Sequence, residues 1–286
     1  MYILPKLGLE IVRGMAPRSP LAHEVHPGRT APILAVHGIS SSRKLWLWLH
    51  HQAPELTLLA PDLRGRCDSI GVPGPFDRGQ HVADLVALLD DLGLARVHVI
   101  GMSMGGFVAV SMAAAHPERV SGLTLVDGGP PMVSPPGLTP AALPQAFAGR
   151  LGRLTRRWES VAAYRDYFCD DLAPLLDRDD PLLHAYLADD LRDGLVRLNG
   201  DALLEDAADI YFGDNAWRQV TVPMHLLHAE WSSGEGTPPA YGADQLAAVH
   251  AAGLATTFVP GVDHAASIMS ARGAAAVAGV VREAAA

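Results

Sequence analysis

Strand-length apolar runs alternate with helical stripes over most of this chain. Pro32-Ile33-Leu34-Ala35-Val36, Leu56-Thr57-Leu58-Leu59-Ala60, the run beginning at Val97 and Val120–Val126 carry almost no polar alternation. That is the mark of strands covered on both faces, as in a parallel sheet. Val222–Leu227 and Ala255–Pro260 predict two more strands, and Leu7–Met15 with Leu21–His26 predict an edge hairpin. From Gln80 to Leu92, Val82, Leu85, Val86, Leu88 and Leu89 share one helical stripe, with Asp84, Asp90 and Asp91 outside it and Gly93 ending the helix. Further helices are expected after Val97–Gly101 (stopping at Pro117), near Gly242–Ala252 and towards Glu283. Trp46 and Trp48, two apart on a helix, face different ways, and both are read as packing. The alternation predicts an α/β protein: a mostly parallel, eight-stranded-type central sheet with helices on both faces.

The alternation breaks between Pro130 and about Trp217. A proline-rich lead-in is followed by helical patterns over Leu143–Trp158, Val161–Leu176, Leu182–Leu191 and Leu203–Tyr211, with no apolar strand among them. This predicts an inserted helical cap over residues 131–217, between a first core part, 1–130, and a second, 218–286. Such a cap lies over the sheet edge where ligands of open α/β sheets bind. Gly128-Gly129 before it serves either as a hinge or as a rigid connection.

At 286 residues, 49% hydrophobic and 19% charged, the chain has ample material for a buried core. A net charge of −9 argues against nucleic acid or an anionic membrane as partner, because both call for basic patches. Two cysteines make no disulfide framework. With neither a signal-peptide pattern nor a stretch of transmembrane length, the expectation is a soluble cytoplasmic protein. There is no His-Glu-x-x-His pattern, and no metal or organic cofactor is expected.

The chemistry centres on Gly101-Met102-Ser103-Met104-Gly105, which joins the Val97 run to a small-residue helix. A strand entering a helix through one sharp turn strains the turn residue and lifts its side chain clear of the sheet. Glycines two before and two after remove Cβ atoms that would collide. In this context the motif resembles the nucleophile elbow of the α/β-hydrolase family, and the resemblance covers the whole chain except the cap. It implies that Ser103 is the nucleophile. It also implies that the His37-Gly38 turn and the start of the elbow helix supply oxyanion donors, the backbone N–H groups of Ile39 and Met104. The family often shows Asp-x-Arg-Gly-x-Gly-x-Ser after the next strand. Here Asp62, Arg64, Gly65 and Ser69 are kept while Cys67 replaces a glycine. Asp62 and Arg64 are expected to pair and fix that loop.

A serine hydroxyl needs a base, and the base needs a carboxylate to orient it. Of thirteen histidines, His264 alone follows the last strand, where the resemblance places the base. At the commonest family position for the acid stands Ser232, two residues beyond Glu230, and it cannot orient an imidazolium by charge. Asp127 ends the strand after the elbow strand. The βαβ crossover between them returns the chain to the same sheet edge, one strand over from Ser103. Asp127 is the first choice for the acid, with Glu230 as the alternative. A serine at the elbow excludes the aspartate-nucleophile branches, epoxide hydrolases and haloalkane dehalogenases. The expected activity is cleavage of a small-to-medium apolar ester or lactone through an acyl-enzyme. The alternatives are a carbon–carbon bond hydrolase or thioesterase of the same fold, or a ligand receptor that does no hydrolysis.

Overall fold

The structure is a computed structural model that describes residues 18–285. The first part of the chain contributes strands β1 (His23–His26), β2 (Ile33–Val36), β3 (Leu58–Pro61), β4 (Val97–Met102) and β5 (Val120–Val126). Two short strands, β6 (Leu191–Arg192) and β7 (Leu195–Val196), form a separate hairpin, and β8 (Met224–Trp231) and β9 (Ala255–Asp263) complete the main sheet. Its seven strands run in the order β1-β3-β2-β4-β5-β8-β9. All are parallel except β1, which pairs antiparallel with β3 from His23↔Pro61 to His26↔Leu58. The strand expected over 7–15 lies outside the described residues.

Alternation along the strands builds two apolar layers. Ile33, Ala35, Ile100 and Leu227 face α1 (Leu47–Gln52) and α11 (Ala271–Ala285), packing with Trp48, Leu49 and Val277. Leu34, Val36, Val99, Leu125 and Leu226 face α2 (Arg78–Asp91), α3 (Met104–Ala115) and α9 (Ala243–Ala251), packing with Leu85, Val108 and Val249. Trp46 and Trp48 are both buried, and the indole N–H of Trp48 donates to Asp180 at 2.7 Å. Helix α2 begins two residues earlier than its stripe suggested, because Asp77 caps it by accepting from the Gln80 N–H at 2.8 Å. It ends as expected before Gly93, whose φ of 67° suits glycine.

Between β5 and β8 lie α4 (Leu143–Ala146), α5 (Ala148–Thr155), α6 (Val161–Tyr167), α7 (Pro181–Asp190) and α8 (Gly200–Phe212). The helix expected over Leu143–Trp158 is two helices, broken at Phe147. The one expected over Val161–Leu176 leaves α geometry at Phe168 for a π turn. The segment, in which no apolar strand was expected, carries one short hairpin, β6–β7, of two residues a strand. Asp193 and Gly194, at φ 53° and 73°, form its two-residue turn, and an Asp-Gly pair is the residue choice such a turn demands. Leu143, Trp158, Tyr164 and Leu187 of the segment join the apolar layer that also contains Val126 and Val262.

Candidate active site

Ser103 leaves β4 with φ 53° and ψ −122°, a backbone conformation that a non-glycine residue adopts only under constraint. Two hydrogen bonds hold it there, Ser103 N–H to Val126 O at 2.9 Å and Gly106 N–H to Ser103 O at 2.9 Å. The motif glycines are needed for space. A Cβ on Gly101 would stand 2.2 Å from the Gly105 carbonyl oxygen, and one on Gly105 would stand 2.0 Å from the Val36 oxygen. The turn therefore closes only with bare backbone at both positions, and the Ser103 side chain remains partly exposed above the sheet.

Register delivers the carboxylate. Met102 pairs with Val126, so Ser103 and Asp127 step off adjacent parallel strands side by side. Asp127 is fully buried and has a φ of 46°. Its N–H donates to Leu227 O at 2.8 Å, and its Oδ1 accepts the Ala229 N–H at 3.1 Å. Oδ2 receives Nδ1 of His264 at 2.6 Å. His264 follows Asp263, which pairs with Trp231 at the end of β8. The buried Asp263 accepts the Ala266 N–H, at the start of α10 (Ala266–Met269), at 2.8 Å and the Gly234 N–H at 3.0 Å, which fixes the turn carrying the imidazole. Glu230 is engaged elsewhere: its carboxylate accepts the Gly261 N–H at 2.7 Å. The structure thus brings His264 to Asp127 and leaves Glu230 capping a turn.

The Gly38–Ile39 turn lies beside the elbow, since a Cβ on Gly38 would stand 3.4 Å from the Ser103 Cβ. Met104 opens α3, where the first N–H groups of a helix have no partner within it. His37 is buried, with Nδ1 on the Gly38 carbonyl at 2.7 Å and Nε2 accepting the Leu63 N–H at 3.0 Å, so its neutral ring joins two loops. Burial pushes its pKa down to about 3.

The expected Asp62–Arg64 pair does not form. Asp62 is paired with Arg43 and also accepts the Arg43 and Asp68 backbone N–H groups at 2.9 and 3.1 Å. Arg64 makes a two-pronged bond to Asp84 at 2.7 and 2.8 Å. Asp84 is therefore buried, contrary to its expected place off the packed stripe of α2. Partners so distant in sequence leave no local pattern. Among the described residues, no group of three or more His, Cys, Asp or Glu side chains is placed to hold a metal ion.

The family described as alpha/beta hydrolase fold matches residues 31–195, and the chain belongs to that family. Among curated proteins it is similar to "Lipase LipV" of Mycobacterium tuberculosis (strain ATCC 25618 / H37Rv), 40% identical over 101 residues, which are 35% of this chain and 38% of that protein. It is also similar to a "Putative 2-succinyl-6-hydroxy-2,4-cyclohexadiene-1-carboxylate synthase" of Bacillus subtilis (strain 168), 34% identical over 101 residues, 35% of this chain and 37% of the other. The matches thus span less than two-fifths of these relatives' lengths. The fold is like that of the crystal structure of E-2-(acetamidomethylene)succinate hydrolase, with TM-score 0.74, 20% identity, and 92% and 94% of the two chains covered. It is also like that of the enol-lactonase from Burkholderia xenovorans LB400, with TM-score 0.62, 20% identity, and 92% and 95% covered.

Proposed function

We propose that this protein is a serine hydrolase that cleaves a small-to-medium apolar carboxylic ester or lactone through an acyl-enzyme. The observation that carries the reading is the 2.6 Å bond between His264 and Asp127, made beside a serine held on a strained elbow. With Nδ1 on a carboxylate, Nδ1 is the protonated nitrogen and Nε2 is free to act as base. Ser103 Oγ attacks the carbonyl carbon as Nε2 takes its proton, and the Ile39 and Met104 N–H groups receive the oxyanion. The tetrahedral intermediate collapses, and His264 returns the proton to the departing alkoxide. Water then repeats the sequence on the acyl-enzyme, releasing acid and Ser103. Residues 131–217 act as the cap. Its Leu143, Trp158 and Tyr164, continuous with Val126 and Val262 beside the two triad partners, favour an apolar substrate group.

A fluorophosphonate probe tests the reading. The protein is expected to label once per chain, and Ser103→Ala to abolish labelling while the fold persists. A folded protein that stays unlabelled and turns over no p-nitrophenyl ester of any chain length overturns the hydrolase reading in favour of a ligand receptor.

A further inference from the structure

Arg66 departs furthest from what local pattern leads one to expect. It sits in the loop after β3, its side chain is fully buried, and its guanidinium reaches both Ile39 and Met104, the residues expected to supply the oxyanion donors. Nε and Nη2 donate to the Ile39 carbonyl at 3.1 and 2.9 Å, and Nη1 donates to the Arg64 carbonyl at 2.8 Å. Nη2 also touches the Met104 sulfur at 3.9 Å. On its far side Nη2 lies 2.6 Å from Asp206, a buried carboxylate of α8 whose other oxygen is held by Nε2 of His81 at 2.9 Å. The backbone repeats the connection. Cys67 N–H donates to Arg197 O at 2.8 Å and Asn199 N–H to Gly65 O at 2.9 Å, with Arg66 bridged to Leu198 between them.

A guanidinium is planar and always charged, so two bonds from one edge fix the direction of the carbonyl they share. The Ile39 carbonyl belongs to the same residue as the N–H proposed to receive the oxyanion, in the adjoining peptide. Oxyanion donors act only when held within a few tenths of an ångström of the developing charge. Asp206 neutralises the cation, so what Arg66 supplies is geometry more than field. We propose that Arg66 is a positioning residue for the oxyanion hole, clamped between the Ile39 carbonyl and Asp206, so that helix α8 of the inserted segment holds the hole in working shape. This rests on the hydrolase reading above.

The test compares wild type, Arg66→Lys, Arg66→Met and Asp206→Asn with p-nitrophenyl butyrate as substrate and a trifluoromethyl ketone as an analogue of the tetrahedral intermediate. For Arg66→Met, kcat is expected to fall ~10²-fold, the scale of losing one oxyanion donor. KM should move less than about threefold, since ground-state contacts are untouched, and the ketone Ki should rise in parallel with the loss in kcat/KM. Arg66→Lys should recover part of the loss, and Asp206→Asn should show a smaller effect of the same kind. Circular dichroism verifies folding; if Arg66→Met does not fold, the Lys and Asn variants decide the question by the same split. Wild-type kcat and ketone affinity in the folded variants overturn the role of Arg66. A wild-type protein that neither labels nor turns over ester removes the hydrolase reading, and this inference with it.

Discussion

Asp127 is wholly shielded from water, and its carboxylate faces the imidazole of His264. Three groups meet it: the Ala229 N–H and the His264 ring at its carboxylate, and the Leu227 carbonyl of β8, which accepts its backbone N–H. Together they fix the carboxylate in the orientation that faces the imidazole. Glu230 meets only the Gly261 N–H on a partly exposed turn. Asp127→Asn is therefore expected to lower kcat by ~10⁴, the scale of a histidine held in the wrong tautomer in a Ser-His-Asp triad, while Glu230→Gln lowers it less than about threefold. Steady-state rates on one p-nitrophenyl ester check both, and the reverse ranking would assign the acid to Glu230.

At the scale of elements, the elbow is built by backbone pressing on backbone. Besides Gly101 and Gly105, Gly128 lies against it: a Cβ there would stand 2.2 Å from the Ser103 oxygen and 2.5 Å from its Cα. Asn215 and Tyr241 hold the residues that follow, donating to the Gly129 and Pro130 carbonyls, each at 2.8 Å. Gly128 and Gly129 are thus closely packed where the chain leaves β5. Gly128→Ala should push Ser103 out of line. We expect a loss of about 1–3 kcal/mol in urea unfolding, the usual cost of overpacking, and slower fluorophosphonate labelling. Gly149→Ala, in α5 with nothing within 4 Å of the added carbon, should raise stability by up to about 1 kcal/mol through helix propensity and leave labelling unchanged. Equal behaviour of the two variants would show that the elbow yields.

At the scale of the whole molecule, three neutral histidines, His26 and His37 buried and His98 partly so, contribute to the response to acid. Burial lowers His37 to about 3 and His26 and His98 to about 4, against about 6.5 in an unfolded chain. Below pH 6.5 the unfolded chain takes up protons that the folded chain refuses. Stability from these groups is present above pH 6.5 and is lost as pH falls towards their folded values, by about 1.4 kcal/mol per pH unit for each. Urea midpoints measured between pH 7 and 4 should fall accordingly. His98→Gln, which keeps a hydrogen-bonding group near Thr124, should make that fall shallower, and an unchanged slope would deny His98 this part.

What the sequence by itself determined was whatever depends on short spacing. Apolar runs of strand length set the sheet, because a strand buried on both faces has no other way to look. Gly-x-Ser-x-Gly between a strand and a helix marked Ser103, because the clash that excludes side chains is local. The crossover from β4 to β5 put Asp127 beside it, since a right-handed return leaves one strand of choice. Asp193-Gly194 could also have been read as a hairpin turn. Tertiary structure alone decided the ion pairs. Asp62 took Arg43 instead of Arg64, Arg64 took Asp84, and Arg66 reached Asp206 across 140 positions. A charged side chain chooses its partner by which buried carboxylate the packing brings within reach, and the price of burying it alone enforces the choice. Sequence order carries no record of that distance.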